Sequence, residues 1–385
     1  MNIIDKNKLD LSLIADAIRE KTGLTEKFHY EEIPLLIDVI DDNPLGDEVF
    51  DSIIGQTITS FNPADYEMTT IPSYFFDGCT ELTDFNFANV SDIGHYAFRE
   101  TGFTEIDMSK ITLTTNTKYG VFAGSKVKKI TCAIGGPKIN WYLSANRMFE
   151  GCTELTEVEN TIVFARGIDR VFSGCTSLTN YSVKGTIGFR TFESCGDFPT
   201  NASSAKIGDW AFADNLGTHF SATNVSTIGR NIFYGCSNLK TISIALGRDA
   251  ASTNQTSFYP VFNLEEFYLT RASYNDSLKE NIFLCFDYGT GTEPKKLHTV
   301  YLKNLIGDIS FNSYPSLTSL ILDVPTILPL ANTTRLGGTP IADGTGHIYV
   351  PESLVEDYKI ATNWAIYADQ ILPISEDMIV EVTEE

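Results

Sequence analysis

The sequence predicts a solenoid, and two observations carry that reading. The first is a phenylalanine phrase that returns along the chain. It reads F-D-G-C at Phe76, F-R-E-T at Phe98, F-A-G-S at Phe122 and F-E-G-C at Phe149, then F-S-G-C at Phe172, F-E-S-C at Phe192, F-A-D-N at Phe212 and F-Y-G-C at Phe233. Successive phenylalanines are 22, 24, 27, 23, 20, 20 and 21 residues apart. Self-similarity at this period means coils that cannot bury their apolar faces alone and must stack on their neighbours. The second observation is that each phrase leads into a short alternation of apolar and polar residues, the period-two mark of a strand with one buried face.

Before the repeats, Asp10 to Gly23 reads as a helix. Leu11, Ile14, Ala17 and Ile18 form one apolar stripe, Arg19 and Lys21 suit its C-terminal end, and Gly23 supplies a stop. A second helix is expected through Glu31 to Ile40, with Pro34 in its first turn and Leu35, Leu36, Val39 and Ile40 as its apolar side. Residues 1–45 are therefore expected to be a helical segment that either caps the first coil or docks onto another protein.

The coil itself is legible residue by residue. Gly78-Cys79-Thr80-Glu81-Leu82-Thr83-Asp84-Phe85-Asn86-Phe87 aligns with Gly174 to Val183 and with Gly235 to Ile244. Phe85 and Phe87 are expected to point in, Asp84 and Asn86 out. A second phrase, I-G-x-x-(A/I)-F, begins at Ile93, Ile207 and Ile228. Its fixed glycine marks a corner that needs positive φ or close backbone approach. The apolar pair behind it suits either a short helical turn or a second short strand on the opposite wall.

Taken together, I-G-x-x-A-F-x-G-C-T-x-L-T followed by alternating apolar positions resembles the BspA-like class of bacterial leucine-rich repeats over residues 50 to 325. The resemblance implies an α/β solenoid, right-handed and gently curved, with a parallel sheet along one wall. It also implies recognition at microbial surfaces and no shared catalytic residues. The expected solenoid spans residues 46–325. Later coils at Leu264, Leu297 and Leu317 keep the strand and lose F-x-G-C, while residues 246 to 258 and 286 to 296 read as polar insertions. Residues 326–385 are expected to form a C-terminal cap with an acidic tail. The pattern G-x-I-Y-V-P, a helix, then N-W-x-x-Y-A is similar to the closing segment of BspA-like arrays, and Trp364 is expected to act as a capping wedge.

Composition narrows the function. A formal charge of −22 disfavours a phosphate backbone, whose affinity comes from Lys and Arg, and disfavours anionic membranes. No stretch approaches a membrane span, and charges interrupt the first residues where an export signal needs an apolar core. Five of the seven cysteines, Cys79, Cys152, Cys175, Cys195 and Cys236, share one repeat position. No C-x-x-C pair or His partner accompanies them, so reduced structural thiols are expected in place of a metal site. Scattered histidines and the lack of G-x-S-x-G or H-E-x-x-H speak against an enzyme, and no cofactor is expected.

Binding has positive support on the outward strand positions. Asp84, Asn86, Glu105, Asp107, Glu157, Glu159 and Asn180 make a polar, mainly acidic strip, and Glu266, Tyr268, Thr299 and Tyr301 continue it as a less charged, aromatic one. The phrase I-A-D-A-I-R-E-K-T-G followed by E-E-I-P-x-L-I resembles N-terminal segments of tail-associated structural proteins of phages and prophages from gut bacteria. It implies a virion protein assembled in the bacterial cytoplasm, attached to other tail proteins by the N-terminus and meeting a host surface protein or glycan through its repeats. A bacterial cell-surface or secreted adhesin is the alternative, and a purely structural virion subunit a third. Self-association into a homo-oligomer is left open.

Overall fold

A computed structural model of the chain describes residues 47–111, 118–131, 145–164, 166–247, 252–253, 257–258, 261–271, 296–305, 307 and 309–379. The expected helices over residues 10–23 and 31–40, with Leu11, Ile14, Ala17, Ile18, Leu35, Leu36, Val39 and Ile40, lie outside the described residues, as do Cys132 and Cys285. The described chain is a parallel β-solenoid of about eleven turns.

Its main sheet adds strands in sequence order. They are Glu105–Asp107, Lys129–Thr131, Glu157–Phe164, Asn180–Ile187, Asn201–Ile207 and His219–Val225, then Thr241–Leu246, Glu266–Arg271, Thr299–Lys303, Ser319–Asp323, His347–Val350 and Ile371–Pro373. Every pairing is parallel, because each coil returns to the same wall in the same direction. Alternation decides which face is buried. Ile106, Ile130 and Val158 stand level across three strands, and Ile242, Phe267, Val300, Leu320 and Ile348 across five, all pointing into the core.

The opposite wall is strand-poor, and helices contribute less than an α/β label implies. Among the described residues the α-helices are Asp47–Ile54 and Val355–Ile360. In their place the F-x-G-C phrases form turns bonded from coil to coil. The N–H groups of Arg170, Phe172 and Gly174 donate to the carbonyls of Phe189, Thr191 and Glu193 in the next coil at 3.0, 2.9 and 2.8 Å. This ladder requires left-handed backbone two residues before and two after each phenylalanine, with φ of 55° at Arg170 and 79° at Gly174. The glycine of F-x-G-C is thus the positive-φ glycine. That of I-G-x-x-A-F serves the other purpose: a Cβ on Gly208 falls 2.7 Å from the Gly188 carbonyl carbon, so the coils close only around glycine.

The eight phenylalanines stack in one buried column. Ring centroids are 5.4 Å apart for Phe76–Phe98, 5.7 Å for Phe149–Phe172 and 6.2 Å for Phe212–Phe233. The column outlasts its motif. Residues 246–258 are more than an insertion: Ser252–Thr253 pairs with Thr227–Ile228, and Phe258 is buried as the next ladder residue, 25 positions after Phe233. Phe311 N–H donates to Arg335 O and Ser313 N–H to Gly337 O, the same two bonds in the coil that leads into Ser319–Asp323.

The C-terminal end is closed by aromatic side chains with satisfied polar tips. Trp364 is buried and donates from Nε1 to Leu328 O at 2.8 Å, and the Tyr358 hydroxyl accepts from Leu328 N–H at 2.9 Å. Tyr367 donates to Thr333 O at 2.7 Å. Burial pushes the Tyr358 phenol up to about 12, since an ionised ring there loses its hydration.

Candidate recognition surface

Parallel strands place every second side chain of each coil in a row across the outer sheet face. At the N-terminal end Asp84 and Asn86 are exposed, but they do not share a sheet with the others. Asp84–Phe85 pairs only with Ser60–Phe61, and Asn86 Nδ2 donates to Asn62 Oδ1 at 3.0 Å. The acidic strip proper is Glu105, Glu157 and Glu159, with Asp107 at the strand end. Asp107 is half-buried, and burial pushes its carboxyl up. The Ser109 hydroxyl, the Ser109 N–H and Lys110 outweigh that and hold it below its ordinary value.

Its acidity is countered in place. Lys129 pairs in register with Glu105 on one side and Glu157 on the other, with Nζ 3.8 Å from Glu157 Oε2 and a closer contact to Glu159 Oε1. The hydrogen bond to Glu159 raises the Lys129 ammonium, with Glu157 and Glu105 adding to it. Asn180 then bonds Glu157 Oε1 at 3.3 Å. The row therefore alternates in charge across its coils instead of presenting a free anionic patch.

The C-terminal half is different. One row runs Thr241, Glu266, Thr299, Ser319 and His347, and the next runs Ser243, Tyr268, Tyr301, Ile321, Tyr349 and Leu372. Tyr268 and Tyr349 are half-buried and Leu372 is 37% exposed. Tyr301, expected on the accessible face, points outward in register yet is 0% exposed. It lies 6.2 Å from the Tyr268 ring, and its hydroxyl is tied to Asp323 Oδ2 at 2.8 Å, so it serves as a floor for the row. Burial, followed by the adjacent Glu266 carboxylate, pushes the Tyr268 phenol up to about 12, and its hydroxyl donates to Glu266 Oε2 at 3.2 Å.

His347, Tyr349 and Leu372 belong to this face and were not expected there. For His347 and Tyr349 the signal was present in the alternation His347-Ile348-Tyr349-Val350, hidden because that segment was assigned to the cap; Leu372, in the three-residue strand Ile371–Pro373, carried none. Among the described residues no group of three or more His, Cys, Asp or Glu is placed to hold a metal. No described helix is long and apolar enough to cross a membrane.

Stacked coils, one continuous parallel sheet and a phenylalanine column define a leucine-rich-repeat solenoid. The chain belongs to the BspA-type leucine-rich repeat family, whose model matches in six copies over residues 45–179, 137–216 and 168–285. Comparison with the curated proteins gives no match. Among solved structures, a leucine-rich repeat protein from Bacteroides ovatus is 19% identical, covering 86% of this chain and 87% of that one at a TM-score of 0.43.

Proposed function

We propose that the protein is a non-catalytic recognition protein whose ligand lies on the outer sheet face of the C-terminal coils, across Tyr268, Tyr349 and Leu372. The observation that carries this reading is the register. Five strands from Glu266–Arg271 to Ile371–Pro373 bring aromatic and aliphatic side chains into one row beside a row of hydroxyls and His347. Aromatic rings edged by hydroxyl groups supply apolar contact with directional hydrogen bonds, the chemistry of a protein or glycan surface. The N-terminal half, with its charges paired across coils, is the support.

On the finer level we infer a phage or prophage tail component, attached through residues 1–45 and meeting the host cell with this face. The support is the N-terminal phrase I-A-D-A-I-R-E-K-T-G. Purified protein is expected to bind cells of a susceptible bacterium, and Tyr349→Ala with Tyr268→Ala to weaken binding at least tenfold while Asp84→Ala leaves it unchanged. Undiminished binding by the double variant overturns the assignment of the face. Finding the protein in purified particles by mass spectrometry supports the tail reading; finding it anchored on uninfected cells supports the adhesin reading instead.

A further inference from the structure

The residue three places before each ladder phenylalanine stands at the turn edge opposite the sheet. In five coils its side chain accepts the N–H of the equivalent residue one coil on. Ser73 Oγ takes the His95 N–H at 3.0 Å and His95 Nδ1 takes the Tyr119 N–H at 3.1 Å. Asn146 Oδ1 takes the Asp169 N–H at 2.9 Å, Asp169 Oδ1 takes the Phe189 N–H at 3.0 Å, and Asp209 Oδ1 takes the Arg230 N–H at 2.8 Å. Two coils between Ser73 and Asp209 place an aromatic ring there instead, Tyr119 and Phe189.

The needs of the fold do not explain these rings. Phenylalanine has no acceptor and the tyrosine hydroxyl stands at the far end of its ring, so each gives up the bond that Ser, His, Asn or Asp makes in other coils. Burial does not offset the loss, since Tyr119 is 39% and Phe189 37% exposed. Both rings are nevertheless held in place. The His95 ring stacks on one face of Tyr119 at 5.4 Å, and Arg170 and Arg190 lie over Phe189 at 5.8 and 5.2 Å. Asn146 and Asp169 stand in the same column between them. Their Oδ1 atoms are engaged by backbone, which orients both groups and leaves Asn146 Nδ2 as a donor and Asp169 Oδ2 as an acceptor.

We propose that the column from Tyr119 to Phe189 is a second binding site and that it takes an uncharged oligosaccharide. A sugar ring has an apolar C–H face, which fits the side of Tyr119 turned away from His95. Its hydroxyls both donate and accept, which fits an amide beside a carboxylate. Arg147 and Arg170 both reach Glu150 at 3.6 Å. With Asp169 the group holds two cations and two anions, so nothing in it selects a charged sugar. The strip is roughly 14 Å long at the ~4.8 Å strand spacing and one side chain wide. That accommodates a short chain of sugars and falls far below the ~800 Å² per partner of a protein contact. One stacking ring and two polar groups make a weak site, of roughly millimolar Kd. It lies on the wall opposite Tyr268 and Tyr349 and does not depend on the reading of that face.

Saturation-transfer NMR of the full chain with cellotriose, maltotriose and chitotriose, and with sialyllactose as the charged control, tests the proposal. Transfer to at least one neutral trisaccharide is expected, and none to sialyllactose. Asp169→Asn keeps an oxygen for the Phe189 N–H and turns the outward acceptor into a donor. It is expected to melt as the natural sequence does and to bind about fivefold more weakly, the loss of one hydrogen bond. Tyr119→Asn restores the acceptor of the neighbouring coils, so it is expected to melt no lower than the natural sequence and to lose the sugar. Silence from all three neutral sugars overturns the proposal, as does equal transfer to sialyllactose. Binding that survives Tyr119→Asn overturns it. A Tyr119→Asn chain that melts well below the natural one would show that the ring serves the fold, and overturns it too. Loss of the sugar with Tyr268→Ala instead would place the site on the sheet face and also overturn it. Cell binding is read separately, so either proposal can fail without the other.

Discussion

The Cys175 thiol donates to the Phe149 carbonyl oxygen of the preceding coil at 3.1 Å, and the same carbonyl accepts the Cys152 N–H at 3.1 Å. The relationship recurs, with Cys152 on Phe122, Cys195 on Phe172 and Cys236 on Phe212 at 3.1, 3.3 and 3.0 Å. Where cysteine is absent a hydroxyl replaces it, since Ser125 donates to Phe98 O at 2.9 Å. The repeated cysteine is therefore a small apolar side chain with one donor. Cys175→Ser is expected to be better tolerated than Cys175→Val, which removes a buried hydrogen bond worth about 1 kcal/mol. Urea midpoints of the two variants check the order; the reverse order counts against a donor role.

Alkaline pH is expected to unfold the protein through the same thiols. Burial pushes Cys152 and Cys236 from 9.0 up to about 12 and holds Cys175 and Cys195 well above their ordinary value. The folded state keeps these protons while the unfolded chain releases them near pH 9. Their contribution is complete below pH 9 and is lost as pH rises toward 12. Melting temperature should be flat from pH 7 to 8.5 and fall steeply above 9.5, with a shallower fall in a variant carrying Ser at Cys152 and Cys236. Equal slopes would assign the alkaline loss to other groups.

Glycines at two positions of the repeat should behave differently. Gly174 sits at φ 79° with its nearest would-be contact at 3.5 Å, so its demand is conformational. Ser194 and Asp214 occupy the equivalent left-handed position, and Gly174→Asn is expected to cost about 1 kcal/mol or less. Gly208→Ala puts a methyl 2.7 Å from backbone of the neighbouring coil and is expected to cost several times more. Chemical denaturation of the pair measures the contrast, and similar losses would show that the two corners are not distinct.

Much of the fold was legible because the phenylalanine column cannot drift: each ring must lie over the last, so its spacing is written in the chain. The outer face was legible only in register. Alternation placed Glu105, Glu157 and Tyr268 outward, but not that Lys129 would bridge two carboxylates or that Tyr301 would lie down against Asp323. Those outcomes depend on side-chain reach across coils, which period-two patterning does not encode. Phe258 and Phe311 were missed because only the phenylalanine of their phrase survives. The turn edge went unread for another reason. Tyr96, Arg170 and Trp210 occupy one left-handed position where residue identity varies freely, so no motif marked it.

The last prediction concerns residues 1–46. The helix Asp47–Ile54 packs on the first coil, where Ile53 stands 23 residues before Phe76 in the place of a ladder phenylalanine. Its side chain is buried, its carbonyl accepts the Gln56 N–H at 3.0 Å, and the Cys79 thiol lies 3.7 Å from the same oxygen. Those are the two contacts that the carbonyls of Phe122, Phe149, Phe172 and Phe212 make in later coils. Val49 packs on the core beside it. A solenoid needs its end coil covered, and this helix supplies buried apolar side chains there. Deleting residues 1–46 is therefore expected to leave a soluble chain with an unchanged sheet signal by circular dichroism and a melting temperature within a few degrees of the full chain. On the tail reading proposed above, the segment with Leu11, Ile14, Ala17 and Ile18 makes the attachment, and the truncated chain should no longer enter particles. Aggregation of the truncated chain on size exclusion would show instead that the segment is part of the cap.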